Sequence, residues 1–382
     1  MQSNMPAQAY IDEAWFGRER DLLFKPLWQF IGLKVMLDKN NAFIKRTLFG
    51  IPVVVQNFHG ELRAFENICP HRQNPIQVQP HGVRPLFCSY HGWSFDSEGG
   101  TRIPHEDALF RFAPEERACI RLRRFALEVV GNLVFVNLSA DPLPIKRQFG
   151  AAMLASLAAS SAAFDGEVIM TTYDGRFNWK LAYENLRDEH HPRYLHARTL
   201  YQEVRFEASI DECGVEALRR QREQGIGDRE RALALLRSFS GGGRDAPMQA
   251  APNERWHSNV ERYRDQDWYY NWLVFPNLHI ASADGGHSFI VEHHVPVGPG
   301  RTEFMVYFVT AKKKRPYSAS AAVLHAHMMG ADKVLREDID VMEQIQQTLY
   351  EGARPAHLGD YEFVNAGIEH WYLNLMEGSF AL

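Results

Sequence analysis

The rhythm of apolar and polar positions changes twice along the chain. Over residues 11–30 the apolar positions Phe16, Leu22, Leu23 and Phe24 fall at helical spacing ahead of Trp28. From about 29 to 140 short alternating runs take over, FIKRTLFGIPVVVQN and LEVVGNLVFVNL among them. Gly, Asn and Pro separate these runs, which is the texture of an all-β segment. Residues 141–165 carry DPLP and then the small-residue stretch AAMLASLAASSAAF, read as a connection and a helix. Beyond 165 the rhythm is mixed. VIMTTYDGRFNW predicts a strand and NWKLAYENLRDEHH a helix. Residues 215–238 predict a polar amphipathic helix ended by Ser-Gly-Gly-Gly. WYYNWLVFPNLHIA, HSFIVEHHVPV and TEFMVYFVTAKK predict strands, and a long helix runs from about 318 to 350. Strands followed by a long helix point to an α+β second half.

Composition narrows the field without choosing within it. The chain has 382 residues, 45% of them apolar and 23% charged, so it is an ordinary globular protein of two domains or so. A net charge of −5 argues against a nucleic-acid partner, which needs a basic face. The start, MQSNMPAQAYIDEAWFGRERD, has no basic segment followed by an apolar one, and no run of about 18 apolar residues exists. Neither a secretory signal nor a membrane span is expected. Four cysteines are too few for a disulfide scaffold, so a reduced, cytoplasmic setting is expected, with thiolates available to metal.

Two of those cysteines carry the first chemistry. CPHR at 69–72 and CSYHGW at 88–93 each offer one thiolate and one imidazole on a short loop, with sixteen residues between His71 and Cys88. Zinc fingers usually pair Cys with Cys and His with His. A Cys and a His at both loops is what a Rieske [2Fe–2S] centre needs, with Cys69 and Cys88 on one iron and His71 and His91 on the other. A zinc site is the competing reading. Pro70 and Gly92 suit tight loops around such a centre. Arg72, Tyr90 and Trp93 read as packing around it, and Cys119 and Cys213 as ordinary buried thiols.

The second chemistry lies in the second half of the chain. On a helix, Glu184, Asp188 and His191 share one face. Pro192 breaks that helix and lets His196 fold back beside His191, with Asp188 beneath. In the late helix Val334, Val341, Met342, Ile345 and Leu349 form an apolar stripe with Asp338 in its middle, while Glu337, Asp340 and Glu343 point elsewhere. A carboxylate on a buried face needs a partner, either a remote Arg or a metal. His191, His196 and Asp338 together make the facial triad of non-haem Fe(II) oxygenases. His190 points away. His293 and His294 are strand neighbours facing opposite sides, so they cannot share one metal. His279 and His287 are candidates to line a pocket, as is part of the aromatic run Trp268, Tyr269, Tyr270, Trp272 and Phe275, of which alternation turns only about half inward. Residues 200–250 are expected to contribute as well, with the helix 215–238 and its Gly-rich exit as a possible lid.

At these residues the chain resembles the catalytic α subunit of the Rieske non-haem iron aromatic-ring-hydroxylating oxygenases. The resemblance covers nearly the whole chain, because Glu19…Trp28, CPHR…CSYHGW, FNWKLAYENLRDEHHPRYLH and EDIDVMEQIQQ follow in order. It implies an N-terminal Rieske all-β domain over 29–145 and a helix-grip catalytic domain over 146–382, an antiparallel sheet with a long helix. The segment 1–28 would pack with the catalytic domain. It implies a terminal oxygenase component, with electrons from NAD(P)H reaching the cluster through a separate reductase, with or without a ferredoxin, and passing to mononuclear Fe(II). Oxygen from O2 would enter an aromatic or other small organic substrate, by hydroxylation, dihydroxylation or demethylation. By position His191, His196 and Asp338 fall on the family's iron ligands, and Asp188 on the acidic residue that links the two metal centres across a homotrimer. His190 stands where the family often has Tyr, and Glu184 where some relatives have Asn. Two other readings compete: a Rieske-type electron carrier or redox sensor without oxygenase activity, and a zinc hydrolase at His191 and His196.

Overall fold

A computed structural model describes residues 3–202, 209–239, 246–248, 254–315 and 320–382. The chain divides into two compact units, residues 25–143 and a second unit made of the first 24 residues with 144–382. Two short helices open the chain, α1 (Gln8–Ile11) and α2 (Glu13–Glu19), and a single π-type turn, Arg20–Phe24, follows them. Asp12 caps α2 by accepting from the Trp15 N–H.

The unit 25–143 is built on β1 (Trp28–Leu33), β2 (Ala42–Leu48), β3 (Ile51–Phe58), β4 (Glu61–Glu66), β5 (His81–Val83), β6 (Ser94–Phe95), β7 (Thr101–Arg102), β8 (Arg124–Val130) and β9 (Leu133–Asn137). Two small helices, α3 (Glu106–Leu109) and α4 (Pro114–Cys119), lie between β7 and β8. Seven of the strands form one antiparallel sheet in the order β1-β9-β8-β4-β3-β2-β5, and β6 pairs with β7. The alternating runs of the sequence thus become strands, as their period requires. Phe43, Val54, Phe65, Ile76, Leu86, Trp93 and Phe95 bury around the two loops that carry Cys69 and Cys88.

The other unit continues with α5 (Ile145–Ala162), β10 (Phe164–Gly175), α6 (Trp179–Asn185), α7 (Glu212–Gln224), α8 (Arg229–Phe239), β11 (Ala246–Pro247), β12 (Trp268–Val274), β13 (Leu278–Ser282), β14 (Ser288–Gly298), β15 (Arg301–Ala311), α9 (Ser320–Tyr350) and α10 (Phe363–Met376). Its sheet is antiparallel, in the order β10-β15-β14-β13-β12-β11. The 31-residue α9 packs on it through Leu324, Met328, Ala331, Leu335 and Ile339 against Phe304, Val306 and Phe308. Strands with a long helix across them are the α+β arrangement expected. Beneath α6 lies a buried pair, Lys180 Nζ to Glu19 Oε1 at 2.5 Å, which ties the N-terminal helices to this unit. Among the described residues no helix is long and apolar enough to cross a membrane.

Several local expectations are corrected. Residues 215–238 are two helices, because Gly225 and Gly227 adopt positive φ (64° and 76°) and break the run. Both helices bury apolar faces, α8 against α5 and α7 against α10, so they are core elements and not a lid. The Gly-rich exit of the second lies outside the described residues. Ile345 is 41% exposed, and the buried face of α9 runs instead through Leu335, Met342 and Gln346. Cys119 and Cys213 are exposed, not buried.

Candidate metal centres

The two loops of the unit 25–143 are built on one hydrogen-bond frame. In the first, the Cys69 N–H donates to Asn74 O and the Gln73 N–H to Cys69 O, each at 2.9 Å. In the second, the Cys88 N–H donates to Trp93 O at 2.7 Å and the Gly92 N–H to Cys88 O at 3.0 Å. Both close through a residue of positive φ, Gln73 at 59° and Gly92 at 74°. The two sulfurs are buried, and His71 and His91 lie side by side with ring centroids 4.4 Å apart. Trp93 stacks flat on His71 at 4.7 Å, which bears out its packing role, and Tyr90, though exposed, lies against the His91 ring at 3.9 Å. Burial pushes the Cys69 thiol up to about 11, with Cys88 beside it adding to the rise. The four donors do not converge on one point: among the described residues, one group of three or more such donors lies within 4.8 Å of one another, and it is elsewhere. A tetrahedral zinc needs all four ligands around a single ion. A two-iron cluster, with thiolates at one end and imidazoles at the other, does not.

The converging group is His191, His196 and Asp338. Asn178 caps α6 by accepting from the Lys180 N–H at 3.0 Å. The helix stops at Asn185, earlier than the spacing suggests, because Asp188 Oδ1 accepts the His190 N–H at 2.7 Å and sets up a turn in place of another helical one. Asp188 and His191 are therefore not on a helix with Glu184. A 3-10 turn at His191–Arg193 follows, and the His196 N–H bonds back to Pro192 O. The rings of His191 and His196 end 5.2 Å apart, so the two imidazoles converge as the proline position suggests.

Asp338 Oδ1 stands 3.0 Å from His196 Nε2 and 3.7 Å from His191 Nε2. Asn185 Nδ2 donates to the same oxygen at 3.0 Å. Each imidazole has a carboxylate at its other nitrogen: Asp188 Oδ2 is 3.6 Å from His191 Nδ1, and Glu337 Oε2 is 2.7 Å from His196 Nδ1. Glu337, read from sequence as pointing elsewhere, thus faces the site, where it also accepts from the Thr199 hydroxyl. Burial opposes a charge on His196, but Asp338 and Glu337 outweigh it and raise the group. Burial raises Asp188, and hydrogen bonds from His191 and the His190 backbone overcome it, so the carboxyl sits below its usual range. Glu184 is turned to the Tyr10 hydroxyl at 2.7 Å and, being buried, is pushed up to about 7.

The triad opens on a cavity of about 1420 Å³. Tyr269, Asn271 and Leu273 of β12 line it. Trp268, Tyr270 and Trp272 do not, as strand alternation requires, and Phe275, just past the strand, packs on Trp179, Tyr183 and Trp371 instead. His279 lines it, and His287 stacks behind on His257 at 3.9 Å. His294 points in and packs on Phe304. Asn185 and Glu337 were missed from sequence. The signal for Glu337 was the need of His196 for an acceptor at its second nitrogen.

The profile of the ring-hydroxylating alpha subunit catalytic domain matches residues 166–378, and that of the Rieske [2Fe–2S] domain matches residues 27–113. The chain belongs to the ring-hydroxylating oxygenase alpha subunits. Its similarity to the anthranilate 1,2-dioxygenase large subunit of Burkholderia cepacia is 25% identity over 90% of this chain and 84% of that one. The glycine betaine monooxygenase oxygenase subunit of Pseudomonas aeruginosa is 26% identical, over about half of each chain (52% and 46%). A solved quaternary ammonium Rieske monooxygenase in complex with L-carnitine has the same fold, with a TM-score of 0.70 at 15% identity over 98% of this chain and 96% of that one. The match over the whole catalytic domain removes the bare electron-carrier reading.

Oxygenases of this family hold a Rieske cluster and a mononuclear iron and draw electrons from a separate reductase. The donor sets here fit both groups. Two buried thiols lie in matched loops beside two imidazoles, and His71 Nδ1 is buried with no hydrogen-bond partner among the described residues. Two imidazole Nε2 atoms and a carboxylate oxygen converge at the wall of a cavity. Outer carboxylates that hold ligand imidazoles are worth about 10–100-fold in metal affinity. Glu337→Gln is therefore expected to weaken Fe(II) binding by about that factor while leaving the cluster absorption unchanged, read by Fe(II) titration of the iron-depleted catalytic site.

Proposed function

We propose that this chain is the terminal oxygenase component of a system that inserts oxygen from O2 into a small organic substrate. In this reading Cys69, Cys88, His71 and His91 hold the cluster, and His191, His196 and Asp338 hold the mononuclear iron. The observation that carries it is the convergence of those three donors on one wall of the cavity. When bound, the two iron groups supply stored electrons and an O2-binding centre with open coordination positions.

The chain's own residues do the rest. The Nε2 atoms of His191 and His196 face the iron position, so their protons sit on Nδ1. Glu337 accepts there from His196 at 2.7 Å, Asp188 stands 3.6 Å from His191 Nδ1, and the two carboxylates fix ring orientation. Asn185 holds Asp338 by its Oδ1. Leu273, Ala281, Ile290, Phe304 and Val334 give the cavity apolar walls, which suit an aromatic or otherwise apolar substrate body and exclude water from it. The reaction is hydroxylation, dihydroxylation or demethylation of that body.

The working form in this reading is a homotrimer in which Asp188 reaches His71 or His91 of a neighbouring copy. The exposure of His91 supports it. Iron and acid-labile sulfide per chain test the ligand assignment. Anaerobically purified protein is expected to hold three irons to two sulfides. Two to two, unchanged by added Fe(II), would remove the mononuclear site.

A further inference from the structure

The cavity has a second end, and α9 measures how far away it is. Asp338 and His327 both line the cavity and are 11 residues apart. That is three turns plus about 20°, so both face the same way roughly 16 Å apart along the axis. Strand β14 is a second ruler. His294, which feels the Asp338 charge, and Ser288 both line the cavity, and six residues of strand span roughly 20 Å.

At that far end His257, Asp284, Ser288 and His327 meet the cavity. His257 is 8% exposed. The Glu254 backbone N–H donates to its Nδ1 at 3.4 Å, so the neutral ring carries its proton on Nε2. That Nε2–H lies 3.9 Å from Asp284 Oδ2 and has no hydrogen-bond acceptor among the described residues. The ring is kept in place by its parallel stack on His287, whose own Nδ1–H donates to Asp284 O at 2.6 Å. Asp284 Oδ1 accepts from the Ser282 hydroxyl and from the backbone N–H groups of His287 and Ser288, whereas Oδ2 accepts from the Ser288 hydroxyl alone. His327 Nδ1 is a second buried nitrogen without a hydrogen-bond partner among the described residues. Elsewhere in the cavity His279 Nε2 is engaged with Asn271 Oδ1 at 2.9 Å.

An N–H donor and a carboxylate oxygen with acceptor capacity left, 3.9 Å apart, form a two-point receptor. A group that itself both donates and accepts fits between them. A carboxylate would meet the charge of Asp284. Arg262, whose charge reaches His257, is already engaged by the Gly285 and Gln266 carbonyls and by Asp267. An ammonium has no lone pair for the His257 Nε2–H. We propose that the far end of the cavity is a subsite for a neutral hydroxyl or primary amide on the end of the substrate remote from the iron. His257 Nε2 donates to that group and Asp284 Oδ2 accepts from it. This assignment rests on the reading of the cavity as the substrate chamber.

Titration calorimetry on the iron-loaded full chain, kept anaerobic so that nothing turns over, tests it with biphenyl, 4-hydroxybiphenyl and biphenyl-4-carboxylate. One neutral hydrogen bond to a buried donor makes 4-hydroxybiphenyl bind roughly three- to tenfold tighter than biphenyl, and the carboxylate binds less tightly than the phenol. His257→Phe keeps a ring over His287 and removes the donor, so the difference between biphenyl and the phenol disappears. His257→Gln returns a side-chain N–H, restores part of the preference and serves should the phenylalanine variant fold poorly. Equal binding of biphenyl and 4-hydroxybiphenyl by the unaltered protein overturns the subsite and leaves the chamber standing. A preference that survives in His257→Phe does the same. Binding of neither compound overturns the chamber and the subsite together.

Discussion

His191→Ala keeps the red-brown cluster spectrum and loses substrate-dependent oxygen uptake. Asp338 Oδ1 and His196 Nε2 remain 3.0 Å apart without it, but two donors do not make the three-sided set that leaves open positions for O2. Disturbing a carboxylate behind a ligand already costs about 10–100-fold, so removing the ligand itself lowers product formation by more than about 100-fold. The cluster is the internal control. The four donors proposed for it belong to the unit 25–143, which has its own sheet and core. Iron falls from three per chain to two, sulfide stays at two, and the absorption of the cluster is unchanged. Product formation within tenfold of the unaltered protein would sink the triad assignment.

Asp188→Asn separates coupling from construction. The amide keeps an oxygen for the His190 N–H, which Asp188 now holds at 2.7 Å, so the turn that presents His191 survives. What is lost is the charge beside His191 Nδ1, 3.6 Å away. Both iron groups are expected to stay bound. With substrate and O2 present, reoxidation of the reduced cluster in a single turnover should slow by about 100-fold, the upper end of what such outer carboxylates are worth. A purely structural role would instead show as lost iron or a lower melting temperature, with the rate per bound iron intact. A near-normal reoxidation rate would show that the bridge is not needed.

Much of this was legible in the residues, and the failures have physical causes. Loop chemistry reads well because it is local: Cys-X-His and Cys-X-X-His fix four donors, and Gly92 supplies the positive φ that closes the second loop. Gln73 does the same for the first loop without being glycine, so nothing in the sequence advertised the matched frames. The meeting of His191 and His196 was legible from Pro192, but not the early end of α6. There a side chain competes with the helix for a backbone N–H, and spacing rules do not weigh that contest. On α9, periodicity found Asp338 but misjudged its neighbours. Glu337 sits about 100° round the helix, yet its longer side chain reaches His196, and Ile345 counted as core only because it is apolar. The far end of the cavity was out of reach, since His257, Asp284 and His327 come from three separate stretches that only tertiary folding brings together.

The buried bond between Glu19 and Lys180 also has a consequence in time. Tyr10 and Glu19 find their partners at Glu184 and Lys180, with the whole unit 25–143 emerging in between. At about 5–20 residues per second, the ribosome needs roughly ten to thirty seconds to deliver those partners. For that interval the opening helices of the nascent chain hold an apolar face and a carboxylate with nowhere to go, while the unit behind them can already collapse around its own core. Completing the floor beneath α6 therefore waits for the return of the first residues to a helix made midway through synthesis. A chain that lost its first 24 residues would leave the Lys180 ammonium without its carboxylate, eleven residues before His191.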